Sequence, residues 1–307
     1  MLTQPGIPNG FALSTTCYGS RLKTIEDQAF ATVAMGFRRL EIGISEVPAT
    51  LNGFELSRRE TGIEVRSLVA GCLDAGSGHS SGSKLGSLDE DTRERALNCI
   101  RRHIRVAHKF ECPVVVVRGC EIEDKPLLDE TEQFQAKLLR EGPGEATAAA
   151  ARELAGRVRK KGQRQIEHLC RSLHALLTEF PETRIAIEPG TSLIDLLCFD
   201  ASGWVLADLA NRGVAYWHDT GSTQVRQWAG LGSQGQWLDA YAPRMIGAHL
   251  QDAAEGHSGM PPGTGEVDFK LVASYLPREA ERVLEVNPRH GRAEILAAVQ
   301  FLVDLGL

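Results

Sequence analysis

RIAIEP (184–189) and VAYWHD (214–219) each run a short apolar stretch into one acidic residue. MIGAHLQD (245–252) and RVLEVNP (282–288) repeat the pattern with a histidine and a glutamate. The side chains so placed are Glu188, Asp219, His249 and Glu285, spaced 31, 30 and 36 residues apart. A strand–helix–strand step takes roughly 30 residues or more. In a closed parallel barrel the C-terminal ends of successive strands converge on one mouth. The spacing therefore predicts four barrel strands, each delivering one potential metal ligand to a common point.

Outward from these strands the same alternation runs along nearly the whole chain. Earlier strands are expected at 10–19, 38–44, 63–73 and 114–119, and the later four at 184–188, 214–219, 245–251 and 282–286. The β-branched run VVVV in the fourth indicates burial on both faces. Helices are expected at 24–36, 49–61, 89–110, 163–180, 201–211, 234–242, 269–276 and 292–305, from apolar residues recurring at three- and four-residue spacing. Gly36 suits the position just past the first helix. Two Gly-rich loops, 74–87 and 255–266, separate elements. The stretch 120–162 is longer than a crossover needs and reads as a helical insertion after strand four, folded over the mouth. Eight strands alternating with helices favour an α/β fold with one (β/α)8 barrel spanning 1–307.

The bulk numbers agree. At 307 residues the chain is long enough for such a barrel, which typically takes about 250. Apolar residues make up 42% and charged residues 24%, as in a globular enzyme. The net charge of −6 and the lack of a basic stripe argue against a nucleic-acid partner. RRHIR (101–105) and RVRKKGQR (157–164) read as solvated helix faces. Seven scattered cysteines without a CxxC point to reduced thiols in the cytoplasm. No leader-like segment or apolar run of about 18 residues stands out, so no membrane association is expected. A homo-oligomer is compatible with all of this.

Ionisable groups at buried strand ends are costly unless paired or metal-bound. Any one of the four could be satisfied by Arg or Lys, but four on consecutive strands favour a metal centre. Mostly carboxylate ligation with one imidazole suits Mn²⁺ first, then Mg²⁺ or Co²⁺, with Zn²⁺ also admitted. Further candidates line the same end. Glu41 reads as a substrate contact or a buried ion pair. Arg118 orients a substrate hydroxyl, carboxylate or phosphate, or forms a salt bridge. Asp252 touches metal, water or substrate, or caps the following loop. His257 and the GTGE turn sit in a lid, where backbone N–H groups could hold phosphate. Trp217 is an apolar wall for a sugar ring or part of the core. Arg289 and His290 face the mouth or the solvent.

GFRRLEIG (36–43), AIEPG (186–190), IGAHLQD (246–252), PGTGEVDF (262–269) and VLEVNP (283–288) together resemble the xylose isomerase-like TIM barrels, over almost the whole chain. That superfamily includes sugar phosphate isomerases and epimerases, inosose dehydratases and endonuclease IV. The resemblance implies that Glu188 and Glu285 bind one cation and exchange protons with substrate, with Asp219 and His249 completing the ligands. It implies an isomerase or epimerase acting on a small polyhydroxylated carbonyl compound. A dehydratase on a keto-sugar or keto-inositol, or a non-catalytic sugar-binding barrel, are the alternatives. Members often carry a substrate-contacting His three residues after the strand-six Asp, whereas this chain has Ser222. Endonuclease IV binds several zinc ions through many histidines, whereas His103, His108, His168 and His174 here lie in helix-like segments.

Overall fold

Strand alternation decides which side chains enter the barrel. The computed structural model describes residues 7–8, 10–45, 50–73, 81–192 and 195–307. Its strands are β1 (Phe11–Ser14), β2 (Arg39–Ile42), β3 (Glu64–Val69), β4 (Val115–Arg118), β5 (Ile185–Glu188), β6 (Ala215–Asp219), β7 (Met245–Leu250), β8 (Asp252–Ala254), β9 (His257–Met260) and β10 (Glu281–Leu284). All but β8 and β9 close into one parallel barrel, in the order β1-β10-β7-β6-β5-β4-β3-β2. Odd and even positions then part company. Leu40, Ile42, Val115, Val117, Ile185, Ile187, Tyr216, Leu250 and Leu284 face the helices. Ala12, Val69, Val116, Ala186, Ala215, Trp217 and Val283 pack together in the interior. Continuing the interior set one step toward the strand ends gives Glu41, Arg118, Glu188, Asp219, His249 and Glu285.

The helices are α1 (Ile25–Met35), α2 (Phe54–Thr61), α3 (Glu90–Lys109), α4 (Lys125–Glu141), α5 (Glu145–Lys161), α6 (Gln163–Glu179), α7 (Phe199–Asp208), α8 (Thr220–Trp228), α9 (Gln234–Tyr241), α10 (Phe269–Tyr275) and α11 (Arg292–Asp304). Their ends follow local chemistry. Thr24 accepts from the Asp27 N–H at the start of α1, and Gly36 ends it at φ 109°, donating to the Thr32 and Val33 carbonyls. Asp89 caps α3 through the Thr92 N–H at 2.7 Å. At the opposite end of the barrel from the acidic cluster, Arg66 of β3 grips Glu281 of β10, with Nη2–Oε1 at 2.6 Å and Nε 3.2 Å from both oxygens. That end is closed by a structural ion pair.

Several expectations are corrected. Strand one stops at Ser14, because the Ser14 hydroxyl accepts from Thr16 N–H and the chain turns through 3-10 geometry over Thr15–Arg21. Strand three ends at Val69. The short helix expected from 49 begins at Phe54, and residue 49 lies outside the described residues, as do 74–80 of the first Gly-rich loop. Helix α8 was not anticipated; Asp219 caps it through the Ser222 N–H at 2.8 Å. The second loop, 255–266, supplies the turn and second strand of an antiparallel hairpin, β8–β9. Glu255 and Gly256 both have positive φ, at 52° and 78°, which suits a two-residue turn between β8 and β9. Three helices, α4, α5 and α6, stand between β4 and β5.

Candidate metal centre

The four strand-end groups meet. One ligand atom from each of Glu188, Asp219, His249 and Glu285 lies within 4.8 Å of the other three, and all four residues are buried. Register explains the convergence: Arg118 pairs with Glu188 across β4–β5, and Asp219 with His249 across β6–β7. Glu285 directly follows β10, its N–H directed at the Leu250 carbonyl of β7.

His249 is held from several sides. Its Nε2 lies 2.9 Å from both oxygens of Glu41, whose Oε2 also accepts from Ser67 Oγ at 2.6 Å. Its Nδ1 is 3.1 Å from Glu188 Oε1 and 3.4 Å from Glu285 Oε2. Trp217 Nε1 and Arg118 Nη2 both approach the same Nδ1 at 3.1 Å. Indole and guanidinium nitrogens only donate, so they are satisfied by a lone pair on Nδ1. Trp217 is seated by Gly247, where a Cβ would collide with the indole ring. Asp219 is fixed by the Ser222 N–H on one oxygen and by Gln251 Nε2, at 2.7 Å, on the other.

Arg118 supplies the local positive charge. Its Nε lies 2.9 Å from Glu188 Oε1, and its Nη2 and Nη1 lie 2.7 and 3.3 Å from the two oxygens of Glu285. Burial favours a neutral Glu188, but Arg118, and after it His249, outweigh burial and hold that carboxyl at about 2. Burial, reinforced by the Glu188 charge, pushes Asp219 up to about 7. Burial opposes the imidazolium of His249, yet Glu41, Glu188 and Glu285 raise its affinity for a proton. A metal ion and a proton compete for such a nitrogen.

The donor set fits a hard divalent cation. Three carboxylates and one imidazole converge, and Glu188 Oε2 is buried with no hydrogen-bond partner among the described residues. An orphaned buried carboxylate oxygen calls for an explanation such as an ion. The Glu41 carboxylate on Nε2 is the arrangement that fixes the tautomer of a metal-binding histidine and puts the lone pair on Nδ1, the atom that Arg118 and Trp217 approach.

Of the residues singled out from sequence, Glu41, Arg118, Glu188, Asp219, His249 and Glu285 are brought together, with Trp217 against His249. Asp252 and His257 are elsewhere. Asp252 Oδ2 accepts from the N–H groups of Gly263, Thr264 and Gly265, and Oδ1 from those of Ala253 and Val267. The Gly-rich turn thus spends its backbone donors on Asp252. His257 is exposed on β9. Gln251 and Ser67 were missed, as was Trp217 as a donor to His249. Gln251 shares a strand face with His249 two residues earlier, a usable signal; Ser67 depends on the register between strands.

Comparison with known proteins bears on the fold. A search of curated proteins gave no significant match. Among solved structures, the chain resembles a D-tagatose 3-epimerase-like protein at TM-score 0.68 and 14% identity, covering 96% of each chain. It resembles the 3-keto-D-glucoside 4-epimerase YcjR of E. coli at TM-score 0.63 and 15% identity, covering 97% of this chain and 98% of that one. The IolI protein, solved with a zinc atom, matches at TM-score 0.60 and 12% identity, covering 96% of each chain. Such identities show a shared fold. The xylose isomerase-like TIM barrel family model matches residues 29–305, and on that match, together with the closed eight-stranded barrel, the chain belongs to the xylose isomerase-like TIM barrel family.

Proposed function

We propose that the protein is a metal-dependent sugar isomerase or epimerase, with Glu188, Asp219, His249 and Glu285 holding one divalent cation. The observation that carries this reading is the buried convergence of their four ligand atoms within 4.8 Å. Carboxylate-rich ligation favours Mn²⁺, with Mg²⁺, Co²⁺ and Zn²⁺ as further candidates. A cation bound there would polarise a substrate carbonyl and offset the negative charge that builds as the neighbouring C–H is deprotonated.

The protein's own groups move the proton. One of Glu188 and Glu285 takes it from carbon, breaking the C–H bond and forming a carboxyl O–H; the other, protonated from solvent, gives its proton to carbon and is left ionised. Delivery to the same carbon gives epimerisation, and delivery to the adjacent carbon, with the hydroxyl proton passing to the former carbonyl oxygen, gives isomerisation. No external oxidant or reductant enters the balance. Trp217 and Glu41 keep the His249 ring in place, while Gln251 and the Ser222 N–H keep Asp219 in place. Arg118, with part of its side chain open to solvent, is suited to meet a substrate oxygen.

The helices α4 and α5 serve in this reading as an insertion beside the mouth. Leu138 and Leu139 of α4 line a cavity of about 190 Å³ with Thr191, Val225, Trp228 and Gly256. Thr191 Oγ1 lies 2.7 Å from Ser222 Oγ, three residues beyond Asp219. This supports a substrate compartment with an apolar wall next to the metal centre. Seven free cysteines support a cytoplasmic enzyme, and no helix among the described residues is long and apolar enough to cross a membrane.

The test is a panel of ketohexoses, ketose phosphates, 3-keto-glucosides and keto-inositols incubated in D2O with Mn²⁺. Mass spectrometry should find a sugar that gains deuterium at carbon with the native protein and not with Glu188→Gln or Glu285→Gln. Uptake unaffected by either substitution contradicts the reading. A product lighter by one water identifies a lyase.

A further inference from the structure

Arg118 contacts the atoms that a metal would use. Its guanidinium spans Glu188 Oε1, both oxygens of Glu285 and His249 Nδ1, at 2.7 to 3.3 Å. It therefore engages three of the four ligands in the buried cluster. The imidazole nitrogen has one lone pair in the ring plane, which cannot serve an N–H donor, whether from Arg118 or from Trp217, and a cation together. Arginine has five donors and no acceptor and does not lose its proton in proteins. It can neither join the ligand set nor relieve the repulsion by deprotonating. A divalent ion at these atoms requires the guanidinium to withdraw from at least His249 and from the carboxylate oxygens the ion takes.

The fold gives it somewhere to go. Arg118 is the last residue of β4, and its side chain is 26% exposed, whereas the side chains of Glu188, His249 and Glu285 are 0 to 6% exposed. His249 is further constrained by Glu41 on its other nitrogen, and Asp219 by Gln251 and the α8 cap. Two of the four ligands are thus fixed by other groups, and the partly exposed cationic side chain is the part with room to move.

The geometry points to Arg118 as a built-in counter-cation that holds the ligand cluster together and competes directly with the metal, thereby setting its affinity. This rests on the metal-binding reading above. Removing the competitor tightens metal binding, because the ion then meets unengaged carboxylates and no positive charge. It also destabilises the metal-free protein, because neighbouring carboxylates are left facing one another.

The experiment is calorimetric titration of the full-length chain with Mn²⁺, using native protein, Arg118→Met and Arg118→Lys, with melting curves recorded in chelator and in Mn²⁺. Arg118→Met should bind Mn²⁺ about tenfold or more tightly than native protein, a difference of about 1.4 kcal/mol or more. It should melt lower in chelator and recover in Mn²⁺. Lysine presents a point charge without the fork, so Arg118→Lys should fall between the two. If Arg118→Met does not fold, Arg118→Lys decides: tighter binding than native supports the proposal, and equal or weaker binding overturns it. Equal or weaker binding by Arg118→Met overturns the competition while leaving the metal site standing. Failure of native protein and variants alike to bind Mn²⁺ overturns both.

Discussion

Nε2 of His249 sits 2.9 Å from both carboxylate oxygens of Glu41, a residue 208 positions away in the chain. The pair is fully buried, and Glu41 is held in turn by Ser67. A carboxylate behind a ligating imidazole fixes its tautomer and increases its basicity, and losing such a partner typically costs about 10–100-fold in metal affinity. Glu41→Ala should therefore weaken Mn²⁺ binding by roughly that factor. Circular dichroism should show the fold retained. Unchanged Mn²⁺ affinity would separate Glu41 from the metal centre.

In the proposed mechanism Glu188 and Glu285 carry the proton transfers. Glu188→Gln and Glu285→Gln keep shape and volume while removing the base. Each should lower turnover by about 10²–10⁴-fold, the usual worth of a positioned acid–base group. Deuterium exchange at the substrate carbon should fall with it. A variant that still exchanges deuterium at the native rate would remove that glutamate from the chemistry.

Asp252 organises the loop beyond β7. Five backbone N–H groups converge on its two oxygens. Asp252→Ala leaves those donors without their acceptor and should cost roughly 2–4 kcal/mol of stability. Hydrogen exchange of the amides at 263–267 reads the effect locally. Protection equal to native at those amides would contradict the role.

Asp195 gives a pH signature outside the candidate metal ligands. Its Oδ1 accepts from the Cys120 and Leu197 N–H groups, and burial pushes its carboxyl up to about 6 from an ordinary value of 3.8. The folded state therefore binds this proton more tightly than the unfolded chain. The resulting stabilisation is complete below the unfolded value and is lost as pH rises through about 6. Relative to Asp195→Asn, native protein should lose on the order of 3 kcal/mol between about pH 4 and about pH 7. Urea melts at the two pH values measure it; parallel behaviour of both proteins would contradict it.

What was legible in the sequence follows from which interactions are local. β5 and β6 end at Glu188 and Asp219 as expected, because each is a short apolar run stopped by one acidic residue. Inward placement of Arg118 and Glu41 follows from alternation on their strands. Helix α8 was not legible: TGSTQVRQW has little apolar periodicity, and its start depends on Asp219 acting as both cap and candidate ligand. The β8–β9 hairpin was hidden by strands of three and four residues around Gly-rich sequence. Pairing of His249 with Glu41, and commitment of the Gly-rich turn to Asp252 in place of a phosphate, depend on three-dimensional register that no spacing rule reports.

Metal stoichiometry tests the central claim most directly. Native protein, Asp219→Ala and His249→Ala are loaded with Mn²⁺, desalted and assayed by elemental analysis alongside protein concentration. One bound ion per native chain and a large loss in both variants is the predicted result. Retention of a full equivalent by Asp219→Ala and His249→Ala would place the ion elsewhere and contradict the account.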